Sequence, residues 1–492
     1  MPGIEPARPA LSWVAAMMTN DDLCFTPATR LVALIRRRRI SPLELTRAVL
    51  DRIERVNPAL NAYCTVAAET ALAAARAATR ALTRRAPLGP LHGIPVSIKD
   101  LTPTRGIRTT WGSKIFEHHV PDEDALIVAR LKAAGAIVMG KTNTPEFGAG
   151  ANTFNAVFGA TRNPWNPALT CGGSTGGGAV ALATGMGPLA QGSDLGGSLR
   201  IPAAFCGVVG LRPSPGLVPV YPVQTAWDAY SVQGPMARTV GDLALMLSVI
   251  AGPDARSPIS YPVDGRTFTA ATRRPSLRGA RIAWSADLGV TPVDHEILRV
   301  ASSATAVLRR LGARVDEAHP DFSGLIEIVL ASRGFSMVAR HEDKLPEWRD
   351  VMQDNLVKNI DYGLTLRASD VARAERLRTE LWERVRRFQE RYDFIVTPTT
   401  AVPPFPVETI SPREINGVPM TNYVQWVLLT YAFTVVGLPA ISVPCGFTRE
   451  GLPVGLQIVG RWRQDASVLR AAAAFEAAAP WADRRPPDPP SR

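Results

Sequence analysis

Two serines sit in glycine-rich surroundings: Ser174 in CGGSTGG (171–177) and Ser198 in GSDLGGSLRIPAAFCGVVGLRP (192–213). They are 24 residues apart, enough for a loop, a helix over the small apolar stretch 179–184, a turn and a return. Glycine near each serine lets backbone approach a ligand, and the consecutive N–H groups of Leu195, Gly196, Gly197 and Ser198 can converge on a developing oxyanion. A serine nucleophile needs a base, and the six histidines are poor candidates. His295 lies between Asp294 and Glu296 at a helix start, His319 precedes Pro320, and His341 opens a charged His-Glu-Asp-Lys run, so all three read as surface residues. His92 reads as a turn residue, and His118 and His119 as a polar loop. Lys99 ends the apolar strand 94–98, where desolvation lowers a lysine's pKa and frees a neutral amine. Such an amine can take the Ser198 proton directly or through Ser174. Considered alone, Lys99 reads equally as a lysine reaching solvent beside Asp100.

Two further strings compete. Residues 135–142, GAIVMGKT, satisfy G-x4-G-K-[ST], which would make this a P-loop nucleotide-binding protein. The intervening Ala-Ile-Val-Met is strand material, and Pro145 falls where the following helix must run, so a buried strand ending in a polar turn is the plainer reading. Residues 172–176 match G-x-S-x-G, the nucleophile elbow, whose mechanism requires a histidine. No histidine spacing suits a metal, and no metal site is expected.

The elements that must position these residues follow from pattern. Residues 26–82 read as a helical segment with apolar stripes, and 1–25 as an N-terminal extension. From about residue 87, short apolar strands alternate with helices, as in an α/β core: 94–98 strand, 125–134 helix, 136–139 strand. Residues 252–277 form a connector. Beyond it come a strand at 280–284, helices at 297–311 and 369–392, a strand at 394–396 and a last helix at 466–478. The tail 481–492 is proline-rich and expected to be disordered.

The 492 residues carry 55 Lys and Arg against 44 Asp and Glu, a net charge of +11, with 46% hydrophobic residues. That is a globular composition, long enough for one large enzyme domain. Only six of the cations are lysines (Lys99, Lys114, Lys132, Lys141, Lys344, Lys358), and the arginines are dispersed. The dense run Arg36 to Arg39 reads as a solvated helix end and not as a nucleic-acid patch. Five scattered cysteines without a CxxC pair point to a reducing, cytoplasmic compartment. Residues 11–18 are apolar but too short and poorly flanked for a signal peptide, and no membrane segment is expected.

The GGSTGG loop, the GSDLGGSLRIPA segment and the upstream GIPVSIKD strand (93–100) together resemble the amidase signature family. KTNTPEF (141–147), ATRNPWNP (160–167), GPMART (234–239), GLPAISVPCGF and GLPVGLQIVG fit the same resemblance, which covers residues 26–480. It implies a single α/β domain, a mixed, twisted central sheet covered by helices on both faces. It also implies a Ser-cisSer-Lys triad, with Ser198 as nucleophile, Ser174 as the bridge on a cis peptide after Gly173, and Lys99 as base. Asp194 and Arg200 are then hydrogen-bonding support, and Thr175 stands where many members carry a second serine. The implied reaction is amide hydrolysis through an acyl-Ser198 intermediate, without a cofactor.

Substrate walls are expected from 220–232 (Tyr221, Trp227, Tyr230), 326–338 (Phe335, Met337) and 423–429 (Trp426), favouring a hydrophobic or aryl amide, with carbamates and esters open. The expected partner is this small amide, not nucleic acid or a membrane, and the one protein partner entertained for a stand-alone enzyme is a second copy of the chain. The rival is an amidotransferase subunit working with partner chains on a tRNA-linked substrate.

Overall fold

An 11-stranded sheet runs through the molecule. From edge to edge its strands are Tyr63–Val66, Ile137–Thr142, Pro95–Lys99, Leu189–Asp194, Val232–Ala237, Val209–Arg212, Ala440–Phe447, Pro453–Val459, Phe394–Pro398, Arg281–Trp284 and Arg314–Glu317. Pairing is mixed: Pro95–Lys99 runs parallel to both neighbours, whereas Leu189–Asp194 meets Val232–Ala237 antiparallel. The computed structural model describes residues 18–84 and 86–489. Helices flank the sheet, giving one large α/β domain around a continuous apolar core.

Every residue of Pro95–Lys99 is buried. A strand between two parallel neighbours and under flanking helices has no wet side, so its sequence runs as an apolar block and does not alternate. The helix Gly176–Ala183 follows the Ser174 loop and leads to Leu189–Asp194. A Cβ on Gly177 would lie 2.4 Å from Asn143 N and 2.5 Å from Ala62 O, so only glycine lets this helix start so close to neighbouring backbone. That approach holds the Ser174 loop over the end of the Lys99 strand.

Most expected elements are present, with ends moved by a few residues, such as Leu126–Ala133, Ala368–Phe388 and Asp465–Ala478. Three segments are better ordered than their composition suggests. The connector 252–277 contains the helix Arg266–Ala271, anchored by buried Phe268 and Ala271. Within the expected extension, Thr19 and Asp22 form a capping box on Asn20–Phe25, and Leu23 and Cys24 are buried; residues 1–17, with most of the 11–18 apolar stretch, lie outside the described residues. Residues 481–489, expected as a disordered tail, lie against the body. Trp481 is buried with its Nε1 donating to Arg238 O (3.0 Å), and Asp488 pairs with buried Arg52 (2.7 Å). Arg36 to Arg39 are exposed at the end of the helix Ala28–Arg36. No helix among the described residues is long and apolar enough to cross a membrane.

Candidate active site

Lys99 is the last residue of its strand and fully buried, yet its ammonium meets no carboxylate among the described residues. Its Nζ donates to three hydroxyl oxygens: Ser174 Oγ (2.7 Å), Thr175 Oγ1 (3.0 Å) and Ser193 Oγ (3.1 Å). Burial without a contacting anion lowers the lysine pKa to about 7, against a smaller opposing pull from Asp194. The Gly173–Ser174 peptide is cis, and the Thr175 N–H donates to Ser198 O (3.2 Å), tying the two serine loops together. Ser198 is partly exposed and lines the same cavity as Ser174. Lys99 is thus dry and Ser198 accessible, an arrangement suited to a base and a nucleophile. Ser193 is the site residue that sequence reasoning misses; only its place beside Asp194 in the glycine-rich segment hints at it.

Asp194 organises the loop before Ser198. Its carboxylate accepts from Gly197 N (2.9 Å), Leu199 N (3.1 Å), Arg200 Nε (3.0 Å) and Arg200 Nη2 (2.9 Å), with Arg212 Nη1 at 3.4 Å. Burial alone would raise its pKa, but the two guanidiniums and these hydrogen bonds outweigh it and hold the carboxyl well below the usual range. One expectation is corrected here: the Gly197 N–H is taken by Asp194, so it does not point at an oxyanion. The N–H groups of Leu195, Gly196 and Ser198 have no acceptor among the described residues, and all three residues line the cavity.

Two adjoining cavities share wall residues, and the inner one meets both serines. The inner one, about 100 Å³, is lined by Ser174, Ser198, Leu195, Gly196, Arg333 and Tyr431, among others. The outer, about 1020 Å³, is lined by Trp111, Phe116 and Trp348 and shares Leu101, Phe147 and Ser193 with the inner. The expected segments do supply wall, 220–232 through Val220, Val223 and Val232 and 423–429 through Tyr423 and Val427, but of the six residues singled out in them only Met337 lines these cavities. On the helix Leu325–His341, Met337, Arg333 and Arg340 share a face, whereas Phe335, two residues away, turns outward and is 56% exposed. Trp227 is 78% exposed. Trp426 is wholly buried against Phe405. Tyr221 stacks under Arg256, and Tyr230 lies under Arg378 with its hydroxyl on Glu375. The missed aromatics are Trp111, Phe116, Phe147, Trp348 and Tyr431, whereas Tyr423 opens the expected segment 423–429.

The competing motifs resolve structurally. The P-loop reading fails because Ile137–Thr142 is a sheet strand and Lys141 is buried, its Nζ on Thr102 O, Thr104 Oγ1 (3.2 Å) and Thr109 Oγ1 (2.8 Å). Lys141 thereby pins the loop after Lys99, and burial lowers its pKa to about 8. In the elbow-like string, Ser174 contacts a lysine and no histidine. His341 is a correction: it is buried against Phe147 (4.6 Å), and burial with nearby Lys344 and Arg340 holds its imidazole down to about 3.

The amidase family model matches residues 44–469. An acylamidase of Rhodococcus erythropolis is 39% identical over 474 residues, 96% of this chain and 99% of that protein. A glutamyl-tRNA(Gln) amidotransferase subunit of Thermosynechococcus vestitus is 37% identical over 478 residues, 92% of this chain and 98% of that protein. The crystal structure of a bacterial aryl acylamidase superposes with a TM-score of 0.86 at 32% identity, covering 93% of this chain and 97% of that one. With the model matched across most of its length and relatives aligned nearly end to end, the chain belongs to the amidase signature family and is an amide hydrolase.

Proposed function

We propose that the chain hydrolyses a carboxylic amide with a large apolar or aryl part through an acyl-Ser198 intermediate. The observation that carries this is the 2.7 Å contact between buried Lys99 Nζ and Ser174 Oγ at the floor of the cavity that Ser198 enters. Neutral Lys99 accepts the Ser174 proton as Ser174 accepts that of Ser198, whose Oγ adds to the amide carbonyl. The N–H groups of Leu195, Gly196 and Ser198 hold the oxyanion. Collapse breaks the C–N bond, the amine leaving with the proton returned from Lys99 through Ser174. Water then adds to the acyl-enzyme by the same route, releasing the acid and restoring Ser198. Thr175, Asp194 and Arg200 hold this arrangement, and the steps use only these groups and water.

The apolar outer cavity, walled by Trp111, Phe116, Phe147 and Trp348, supports the aryl or hydrophobic preference. The five free cysteines support a reducing, cytoplasmic setting. A second reading, as one component of an amidotransferase, is favoured by the 37% identical relative that carries that name.

A fluorophosphonate probe should label Ser198, and Ser198→Ala should abolish both labelling and hydrolysis of anilides by the purified chain. Labelling that persists in Ser198→Ala overturns the assignment. Anilide hydrolysis by the chain alone supports the stand-alone enzyme, and activity arising only with co-purified partner chains supports the second reading.

A further inference from the structure

Arg333 is a buried cation without a counter-ion among the described residues, in the wall of the cavity that holds Ser198. Its Nε donates to Asn359 Oδ1 (2.7 Å) and its Nη1 to Tyr431 Oη (3.1 Å), and Tyr423 presents its ring at 6.0 Å. Its Nη2 is buried and has no partner among the described residues. The other buried arginines have an anion or several carbonyls, although Nε and Nη2 of Arg212 likewise lack partners among the described residues. Arg200 and Arg212 share Asp194, and Arg52 pairs with Asp488. Arg238 donates to four backbone carbonyls, those of Leu182, Gly187, Cys24 and Thr26. A guanidinium held by one amide oxygen and one phenol, with a buried, unpartnered N–H on a residue that lines the cavity, is an incomplete ion pair, and burying a charge unpaired is costly.

We propose that Arg333 receives a carboxylate of the substrate, so that the preferred amide joins a large apolar part to a short part ending in a carboxylate. This rests on the amidase reading of Ser198. The dimensions fit the division: the outer cavity of about 1020 Å³ holds the apolar part, and the inner one, about 100 Å³, has room for only a few non-hydrogen atoms. Tyr431 links the two functions, since it holds Arg333 and its ring fills the space beside Gly196, where a Cβ would lie 2.3 Å from Tyr431 Cζ. The carboxylate would therefore be bound next to the loop that receives the oxyanion. Arg340 also faces the cavity but is already paired with Asp228.

The test compares kcat/KM within two isosteric pairs: succinyl against isocaproyl para-nitroanilide, and phenylacetylglycine against N-isobutyl phenylacetamide. Wild type, Arg333→Met and Arg333→Lys are assayed. A charge-assisted pair predicts a carboxylate preference of about tenfold or more in at least one pair for the wild type. That ratio should fall to about one in Arg333→Met and be partly restored in Arg333→Lys. A purely structural Arg333 would depress both members of a pair alike and leave the ratio unchanged, which overturns the proposal, as does a wild-type ratio near one in both pairs. Fluorophosphonate labelling of the same preparations separates the two failures. An enzyme labelled at Ser198 that ignores the carboxylate rejects only the Arg333 site, whereas one neither labelled nor active rejects the amidase reading and the site with it.

Discussion

Arg200 grips the carboxylate of Asp194 through two hydrogen bonds, Nε to Oδ2 at 3.0 Å and Nη2 to Oδ1 at 2.9 Å, with both side chains fully buried. The same carboxylate holds the N–H groups of Gly197 and Leu199 on either side of Ser198, so the ion pair fixes the backbone that carries this serine. Asp194→Asn should leave Arg200 and Arg212 without a buried anion, costing about 3–5 kcal/mol, and lower kcat by about a hundredfold or more. Because Asp194 also pulls the Lys99 pKa upward, any residual activity should show its pH midpoint shifted to lower pH. Thermal melts and a pH–rate profile check this; a native melting temperature with near-normal kcat would sink it.

Activity should follow the neutral form of Lys99. With its pKa lowered to about 7 by burial, kcat/KM should rise about tenfold per pH unit below that value and level off above it. Lys99→Ala should remove nearly all hydrolysis while the fold survives. A rate flat between about pH 5 and pH 9 contradicts a lysine base.

The same burial carries a stability cost with a definite sign. The folded-state pKa of Lys99, about 7, lies below the ordinary lysine value of 10.5, so between these limits the unfolded chain binds a proton that the folded one lacks. Stability therefore rises with pH across this window, and the penalty is complete below about pH 7. Lys99→Met should melt higher than the wild type at pH 6–7, with the gain shrinking toward pH 10. Equal melting temperatures throughout would mean that the lysine is solvated.

Met337→Ala should change KM for anilides several-fold, whereas Phe335→Ala and Trp227→Ala should stay within about twofold, measured by steady-state kinetics. The contrast marks what the sequence could reveal. Lys99, Ser174 and Ser198 fall in contiguous strings whose residue types are dictated by chemistry at one place, so they were legible. The walls are assembled from the expected segment 220–232, from one face of Leu325–His341 and from loops near residues 111, 147 and 423, and choosing among their aromatics requires knowing which way each turns. One signal was available: Arg333 interrupts the apolar stripe of Leu325, Ile328, Val329 and Met337. A charge inside such a stripe must find a buried partner, which marks the position before the partner is known. Lys141 was hidden differently. Its string copied a phosphate loop, and only the strand pairing of Ile137–Thr142 shows that it serves the loop after Lys99.

The C-terminal stretch gives the last prediction. Composition marks residues 481–492 as unable to form regular structure, and among residues 481–489 no helix or strand forms. An irregular segment can still be fixed when single side chains find buried sites, and Trp481 does so beside Arg238. Asp488 adds the carboxylate that buried Arg52 otherwise meets only at 3.7 Å, from Asp21. Removing residues 481–492 should therefore destabilise the enzyme by about 3 kcal/mol or more, mostly through loss of the tryptophan, and Trp481→Ala alone should reproduce most of the drop in melting temperature. The hydrogen bond from Arg52 holds the Asp488 carboxyl below its ordinary pKa, so its contribution is present above that value and is lost as pH falls through the lowered one. If the truncated chain melts with the full-length protein, the segment is only laid on the surface and the compositional reading stands.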